Sequence, residues 1–295
     1  MYEAIAANKR RTIYLMVFFV AIIGGLAWLA GAYFGDSSLS VVVIAVIVAL
    51  IYALIQYFLA AKIALAVNGA KEIQKSDNPE LFNIVENLAI ADGLPMPKVY
   101  IMNDPSPNAF ATGRDPDHSA VAVTAGLLEI MNKTELEGVI AHEMSHVKNY
   151  DIRVMMIVVG LAGAIAFLAD IILRFMWFGG GERDRENQNP ALLIAAIIAA
   201  ILAPLIATLV QLAISRRREY LADSSGALLT RYPQGLESAL IKIRDHGAPM
   251  RAQNTATAHL FFANPLKGSS FLGLMSTHPP INDRIAKLRK MEDKL

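Results

Sequence analysis

A short polar motif inside a helical pattern is the strongest chemical signal in the chain. His142 and His146 stand four residues apart and Glu143 directly follows the first, so the segment reads H-E-x-x-H. Residues four apart lie one above the other on a helix face, so both imidazoles can bind one metal ion at about 2.0–2.1 Å. Glu143 lies about 100° further round the helix, where its carboxylate can touch a water bound to that ion.

This combination suits amide hydrolysis. Zinc lowers the pKa of a bound water toward about 7, and a neighbouring carboxylate can take the proton and later pass it to the leaving amine. We therefore expect one Zn²⁺ per chain, with His142 and His146 as ligands and Glu143 as the base. In a chain with six histidines, chance would produce the motif in roughly one case per hundred. A structural zinc site fits less well, because four protein ligands normally close it and Glu143 would have no role.

The metal needs a further protein ligand, and the chain contains no cysteine, so that ligand must be an imidazole or a carboxylate. Glu219 is the best candidate, with Asp223 four residues later on the same helix face. Such a pair can bind the ion through the glutamate and hold the free N–H of a ligand histidine through the aspartate. Alone the pair is a weak signal, because surface helices often carry carboxylates four apart. The remaining histidines without a partner at ligand spacing are expected on the surface or in loops: His118, His246 and His259.

The apolar residues, 55% of the chain, are concentrated in blocks rather than spread as a soluble core requires. A hydrocarbon core of about 30 Å is crossed by roughly 20 helical residues. Four stretches meet this length and predict four transmembrane helices: Thr12–Phe34, Ser40–Ala61, Ile152–Phe178 and Pro190–Ser215. The first is too long for a signal peptide and a second span follows at once, so we expect it to be a retained anchor.

The positions of basic residues predict the orientation of these spans. The loop Gly35–Leu39 has no lysine or arginine, and the two arginines of the loop Gly179–Asn189 are offset by acids. The runs Lys9–Arg11 and Arg216–Arg218 flank the spans on the other face. Because cytoplasmic flanks are enriched in lysine and arginine, we expect a multi-pass membrane protein whose sizeable hydrophilic segments all lie in the cytoplasm. The net charge of +1 gives no indication of a nucleic-acid partner.

Four segments follow from this arrangement. Residues 1–61 form an N-terminal transmembrane hairpin, and residues 152–215 form a second one. Residues 62–151 carry the motif helix and make the first part of a cytoplasmic catalytic domain, and residues 216–295 make its second part. Neither hydrophilic segment has a complete core of its own, so we expect the two to fold together.

Local signals within these segments predict helices and short strands. Asn78 followed by Pro79 is a helix start. The runs Lys98–Met102, Ala109–Thr112 and Ser119–Thr124 are short, β-branched or alternating, and bounded by turn residues. They predict a small antiparallel sheet.

The motif helix is expected to begin at Thr134, where Thr134 and Glu137 can form a capping box. Val147–Arg153 contains neither proline nor glycine, so we expect this helix to run on into the third span. The predicted fold is a mainly α membrane protein with four transmembrane helices and an α+β, zincin-like cytoplasmic catalytic domain.

Taken together, these features resemble the HtpX family of membrane-bound zinc metalloproteases and, more distantly, the prenyl-protein (CAAX) endopeptidases. The resemblance covers almost the whole chain, and its combined motifs are far more specific than H-E-x-x-H alone. They are N-A-F-A-T-G at Asn108–Gly113, the segment His142–His146, R-E-Y-L-A-D at Arg218–Asp223, S-T-H-P-P at Ser276–Pro280, and Arg284.

The resemblance implies roles for further residues. Glu219 would be the third metal ligand. Asn108 and its neighbours would form an edge strand that pairs with the main chain of an extended substrate. His278 and Arg284 would form a cationic group over the scissile carbonyl, where a donor stabilises the developing oxyanion. The plain alternative for His278 is a turn residue before two prolines.

The resemblance therefore implies a zinc metalloendopeptidase of a bacterial-type cytoplasmic (inner) membrane, which cleaves membrane or misfolded proteins at the cytoplasmic membrane surface in protein quality control and stress response. Its expected partners are protein or peptide substrates, especially membrane proteins, and the lipid bilayer. The alternative is a catalytically silent membrane scaffold or chaperone that retains the metal site, and the intact Glu143 favours the enzyme. A metal transporter fits less well, because the paired histidines lie outside the spans rather than near the bilayer midplane.

Overall fold

The computed structural model describes residues 2–34, 39–158, 160–161, 216–251, 257–264 and 279–292. This part of the chain is mostly helical and contains one small sheet. The fourth predicted span, most of the third, the loop between them and His278 lie outside the described residues.

Nine helical segments are numbered here in chain order. They are α1 (Tyr2–Phe34), α2 (Leu39–Val67), α3 (Pro79–Asp92), α4 (Ala125–Ile130), α5 (Lys133–Lys148), α6 (residues 151–158 and 160–161), α7 (residues 216–230), α8 (Pro233–His246) and α9 (Ile281–Glu292). Short 3₁₀ turns lie at Pro116–His118 and Ala258–Leu260. The predicted helix start at Asn78 is confirmed, since its side chain caps α3 by accepting a hydrogen bond from the backbone N–H of Leu81.

The helices α1 and α2 pack against each other and against α6. Phe19, Ala49, Ala53 and Ile157 are buried where the three meet. The outer face of α2 instead exposes large aliphatic side chains, such as Ile44 at 62%. Within the described ranges, one helical segment, Val42–Val67, is long and apolar enough to cross a membrane. The prediction of four spans stays a prediction.

Four strands form a mixed sheet in the order β1-β2-β4-β3. They are β1 (Ala70–Glu72), β2 (Lys98–Met102), β3 (Ala109–Gly113) and β4 (Ser119–Thr124). The three strands predicted from the sequence are confirmed, and β1 was not predicted. The prediction of an antiparallel sheet is wrong for the central pair, because β2 and β4 run parallel. After β2 the chain crosses to the far edge to form β3, and β4 then returns antiparallel to β3 into the gap beside β2.

The main core lies between the sheet and the helices α3, α5 and α8. Val85, Val121, Val139 and Leu240 are all fully buried in it. The helices α5 and α8 approach closely at Gly138, where an added Cβ would lie 2.6 Å from the backbone nitrogen of Leu236. The motif helix α5 is therefore held on several sides, and 12 of its 16 residues are buried.

The start of α5 differs from the predicted one. Asn132, not Thr134, is the N-cap, and Glu135, not Glu137, completes the capping box by accepting from the backbone N–H of Asn132 at 2.8 Å. The Glu135 carboxylate also accepts hydrogen bonds from Ser238 and Lys242 of α8, each at 2.6 Å. Packing against α8 thus selected the earlier of two caps that the sequence allows.

The end of α5 also departs from the prediction. The helix stops at Lys148 instead of running on, and Tyr150 adopts the left-handed backbone conformation with φ of 60°. The next helix, α6, starts at Asp151 in a new direction. No proline or glycine marks this break, so it could not be read from residue types.

The two capping assignments predict different effects of mutation. Glu135→Ala should lower the free energy of unfolding by about 2 kcal/mol, because it removes part of the α5 cap and a partly buried ion pair with Lys242. Glu137→Ala, on the same helix, should change it by less than about 0.5 kcal/mol. Thermal unfolding of the detergent-solubilised protein, followed by circular dichroism, measures both. Equal losses would contradict the assignment of Asn132 and Glu135.

Candidate metal centre

The predicted ligands converge in one buried cluster. His142 and His146 of α5 and Glu219 of α7 each place a ligand atom within 4.8 Å of the others. The two Nε2 atoms lie 3.2 Å apart, and the Glu219 carboxylate lies 3.3 Å from His146 and 3.7 Å from His142. Ligand atoms about 2.05 Å from a tetrahedral ion lie about 3.3 Å from one another. The cluster therefore has the dimensions of a three-ligand zinc site.

A glycine sets the distance between the two helices that carry the ligands. A Cβ added at Gly226 of α7 would lie 2.9 Å from the backbone nitrogen of His142. Any larger residue would push α7 away from α5, and Glu219, two turns earlier on α7, would move with it. The convergence of Glu219 with the imidazoles depends on this close approach.

The Nδ1 nitrogen of His142 faces Asp223, the residue predicted to hold a ligand histidine. The Asp223 carboxylate lies 3.0 Å from His142 Nδ1. Arg284 of α9 donates two hydrogen bonds to the same carboxylate, at 2.6 and 2.9 Å, and is itself buried. The structure thus places Arg284 behind the ligand histidine, and its predicted contact with a substrate carbonyl stays a prediction.

Sequence reasoning missed the corresponding partner of His146. Asp151 lies 3.1 Å from His146 Nδ1 and is 1% exposed. The available signal was an aspartate five residues after the motif, but a continuous helix would have turned it away from His146. The break at Tyr150 brings it back.

Burial and charge shift the pKa values of the motif side chains in different directions. Burial lowers the pKa of His142 to about 4, and the nearby Arg284 adds to this effect. Burial alone would lower the pKa of His146, but its hydrogen bonds to Asp151 and Glu219 outweigh burial and raise the pKa to about 10. Burial raises the pKa of Glu143 to about 7, with the Glu219 charge adding to the shift. A carboxyl group with a pKa near 7 can both accept and return a proton at neutral pH.

The cleft beside these residues is narrow. His142, Glu143, His146 and Glu219 line it together with Met155 and with residues 259–262. The space in it that a water-sized molecule can reach is about 10 Å³, which is room for about one water molecule. His259, predicted to be a surface or loop histidine, lies in this lining.

Residues 257–264, called here the covering segment, close the cleft along the edge of the sheet. The backbone N–H of Phe262 donates to the carbonyl of Ala109 in β3 at 2.8 Å. The Asn108 side chain bonds both the N–H and the carbonyl of Ala263, at 3.0 and 2.8 Å. The Phe262 ring packs edge-on against His142. Asn108 thus lies directly before the edge strand β3, and its amide binds the covering segment of this same chain.

Comparison with known proteins agrees with this geometry. The profile of Peptidase family M48 matches residues 75–292, which include both helices of the metal cluster. The chain belongs to this family. Among its relatives are proteins named "Protease HtpX homolog". The one from Tropheryma whipplei (strain Twist) is 48% identical over 292 residues, covering 99% of this chain and 98% of the relative. The one from Streptococcus gordonii is 48% identical over 297 residues, covering 99% and 100%.

One solved structure has a similar fold. The crystal structure of S. mikatae Ste24p matches with a TM-score of 0.53 at 19% identity, and the match covers 96% of this chain and 66% of that one. At this identity the likeness concerns the fold alone. With the family, the buried His-His-Glu cluster and the long apolar helix together, this M48 chain is a membrane-associated metalloprotease.

Loss of the α7 ligand should abolish tight metal binding. Glu219→Gln is expected to weaken zinc binding by more than about 100-fold. Mutation of a residue that only supports a ligand already lowers metal affinity by about 10–100-fold. Competition with a chromophoric chelator measures the affinity of the purified protein. Glu72→Gln on β1, whose side chain is 41% exposed, is the matched control and should bind as the wild type does. Unchanged binding by Glu219→Gln would exclude Glu219 as a ligand.

Proposed function

We propose that this metalloprotease is a zinc-dependent endopeptidase that cleaves membrane or misfolded proteins at the cytoplasmic face of the membrane. The observation that carries the proposal is the spacing of three ligand atoms, on His142, His146 and Glu219, beside the buried Glu143 carboxyl group. Two imidazoles and one carboxylate suit zinc and leave a fourth position open for water, which is typical of catalytic zinc sites. One ion per chain is proposed.

The residues around the cleft have separate proposed roles in the reaction. Zinc, when bound by His142, His146 and Glu219, supplies a Lewis acid that lowers the pKa of water and polarises the scissile carbonyl. Glu143 takes the proton of the attacking water and delivers a proton to the amine nitrogen as the C–N bond breaks. Asp223 accepts from the Nδ1–H of His142, which leaves Nε2 free to act as a ligand. We further propose that His278 and Arg284 contribute positive charge near the developing oxyanion.

The sheet edge is the proposed place of the substrate. A peptide in extended form can add to β3 through main-chain hydrogen bonds, which tolerate many side chains. The Ala109 carbonyl and the Asn108 amide are the groups that would bind it, and both now bind the covering segment. A cleft with room for about one water cannot admit a peptide. The covering segment must therefore withdraw before an extended substrate can reach Glu143.

The location of the site favours substrates at the membrane. Asn8, four residues before the predicted first span, lies in contact with the loop that follows the motif helix. Glu219 follows the predicted fourth span by four residues. The basic runs Lys9–Arg11 and Arg216–Arg218 are typical of cytoplasmic flanks. Cytoplasmic loops and unfolded segments of membrane proteins are thus the proposed substrates, and quality control is the proposed role.

The proposed base can be tested separately from metal binding. Glu143→Gln keeps the size of the side chain but removes its ability to take a proton. We expect it to bind zinc as tightly as the wild type and to lose at least about 10²-fold in cleavage rate. Purification under chelation, return of zinc and an assay with casein or self-cleavage measure both properties. Equal cleavage by the two proteins would refute the role of Glu143, and no cleavage by either would favour the silent scaffold.

Withdrawal of the covering segment can be followed with a single thiol, because the natural chain has no cysteine. In a Glu143→Gln background, Leu260→Cys places the thiol in the covering segment, where the native side chain is 4% exposed. Its rate of reaction with a maleimide should rise several-fold when unfolded casein binds. Ala239→Cys, in the core of α8, is the control and should react equally slowly with and without casein. An unchanged rate at Leu260→Cys with casein bound would show that the substrate takes another path.

A further inference from the structure

A buried polar cluster connects the metal ligand His146 to the N-terminal helix. Asp151 accepts a hydrogen bond from the Asn8 side chain at 2.7 Å and lies 3.1 Å from His146 Nδ1. Arg218 of α7 donates to the same carboxylate at 3.3 Å. Asn8, Asp151 and Arg218 are each less than 10% exposed. A carboxylate removed from water in this way is stable only when its oxygens are bonded and its charge is compensated.

The backbone around Asp151 is shaped to bring it to His146. On an unbroken helix, a residue five positions later would lie about 140° round the axis and would point away. The left-handed conformation of Tyr150, unusual for a residue with a bulky side chain, redirects the chain so that Asp151 points back. Such conformations persist only when surrounding contacts hold them. Asn8 supplies one, because its amide also donates to the carbonyl of Asn149 at 2.9 Å.

Further contacts stabilise the turn at Tyr150. The ring of Tyr150 lies between two cations, with Lys9 4.8 Å and Arg153 4.7 Å from its centroid. Lys9 is the neighbour of Asn8 on α1, so two consecutive residues of the N-terminal helix contact the turn after the motif helix. The contact is therefore continuous and does not depend on one hydrogen bond.

The two histidines of the motif have matching contacts at Nδ1. His142 has Asp223 on its Nδ1, and Arg284 bonds that carboxylate. His146 has Asp151 on its Nδ1, and both Arg218 and Asn8 donate hydrogen bonds to the Asp151 carboxylate. A carboxylate on the outer nitrogen of a ligand imidazole sets its tautomer, its orientation and its basicity.

We propose that Asp151 is a positioning residue for the metal ligand His146, and that Asn8 of α1 positions Asp151. The proposal rests on the proposed zinc endopeptidase function. It makes the first turns of α1 part of the support of the catalytic site, in addition to their role beside a predicted membrane anchor. The membrane helix and the metal ligand then share one hydrogen-bonded cluster.

Zinc affinity is the measurement that tests this proposal, because it does not require turnover. Asp151→Asn should lower zinc affinity by about 10–100-fold in chelator competition. Asn8→Ala should lower it by a smaller factor, about 3–10-fold, because it acts through Asp151. The double variant should bind as weakly as Asp151→Asn alone, because the two residues act in series. The visible spectrum of the Co²⁺-substituted protein should shift in both single variants.

Two control variants match the chemistry without touching the ligands. Asp104→Asn changes another buried carboxylate, which accepts from the backbone of Ser106 and Arg251. Asn78→Ala removes another asparagine, whose side chain caps α3. Both controls should keep wild-type zinc affinity, whatever their effect on the melting temperature.

The possible results distinguish failure of the positioning proposal from failure of the proposed zinc endopeptidase function. Wild-type affinity in Asp151→Asn and Asn8→Ala, with a normal Co²⁺ spectrum, would overturn the positioning role while leaving the zinc site intact. Additive losses of zinc affinity in the double variant would overturn the proposal that Asn8 acts through Asp151. Failure of the wild type itself to bind zinc would overturn the proposed function instead. If Asp151→Asn does not fold, the zinc affinities of Asn8→Ala and Asp151→Glu test the proposal instead. We expect an affinity for Asp151→Glu between those of the wild type and Asp151→Asn.

Discussion

The close contact between α5 and α7 is the constraint on which the rest of this structure depends. Two ligands come from one turn of α5, where helical geometry alone places them together. The third comes from α7, more than 70 residues later, and reaches them only because Gly226 lets the two backbones approach. The sheet, α3 and α8 hold α5 from its other sides. The core of the domain therefore serves largely to keep one helix fixed against another at a distance that suits a metal ion.

Charge burial is the second feature that shapes the site. His142, Glu143, His146, Glu219 and Asp223 are all at least 95% buried, an arrangement that is costly unless charges are paired and polar groups are bonded. Arg284 compensates Asp223, and Arg218 compensates Asp151. Glu143 and Glu219 remain beside the two imidazoles, and a divalent cation bound there would offset their charge. Protons and a metal ion therefore compete for the same imidazoles and carboxylates. A divalent cation offsets the two carboxylate charges better than protons on the imidazoles do.

The cleft links the proposed catalytic residues to the sheet edge. The covering segment bonds the Ala109 carbonyl and the Asn108 amide, the groups proposed to bind an added strand, and its Phe262 ring packs on His142. The same groups cannot bind the covering segment and a peptide at once. The N-terminal helix reaches the cluster through Asn8 and Asp151. Under the two proposals, the metal cluster lies between a segment that moves and a support that stays in place.

The sequence by itself determined the features that local periodicity controls. Spacing on one helix predicted that His142, Glu143 and His146 lie together, and the residue pattern located three strands within one residue. The pair Glu219 and Asp223 was a weaker signal, and the structure brings both residues to the same cluster. What only the tertiary structure decided depends on contacts between distant segments. Those contacts selected Asn132 as the cap, made the central strand pair parallel, broke the helix at Tyr150 and filled the sheet edge with the covering segment. The physical reason is that periodicity specifies which face of an element is buried, whereas the partner of that face is chosen by packing across the whole domain.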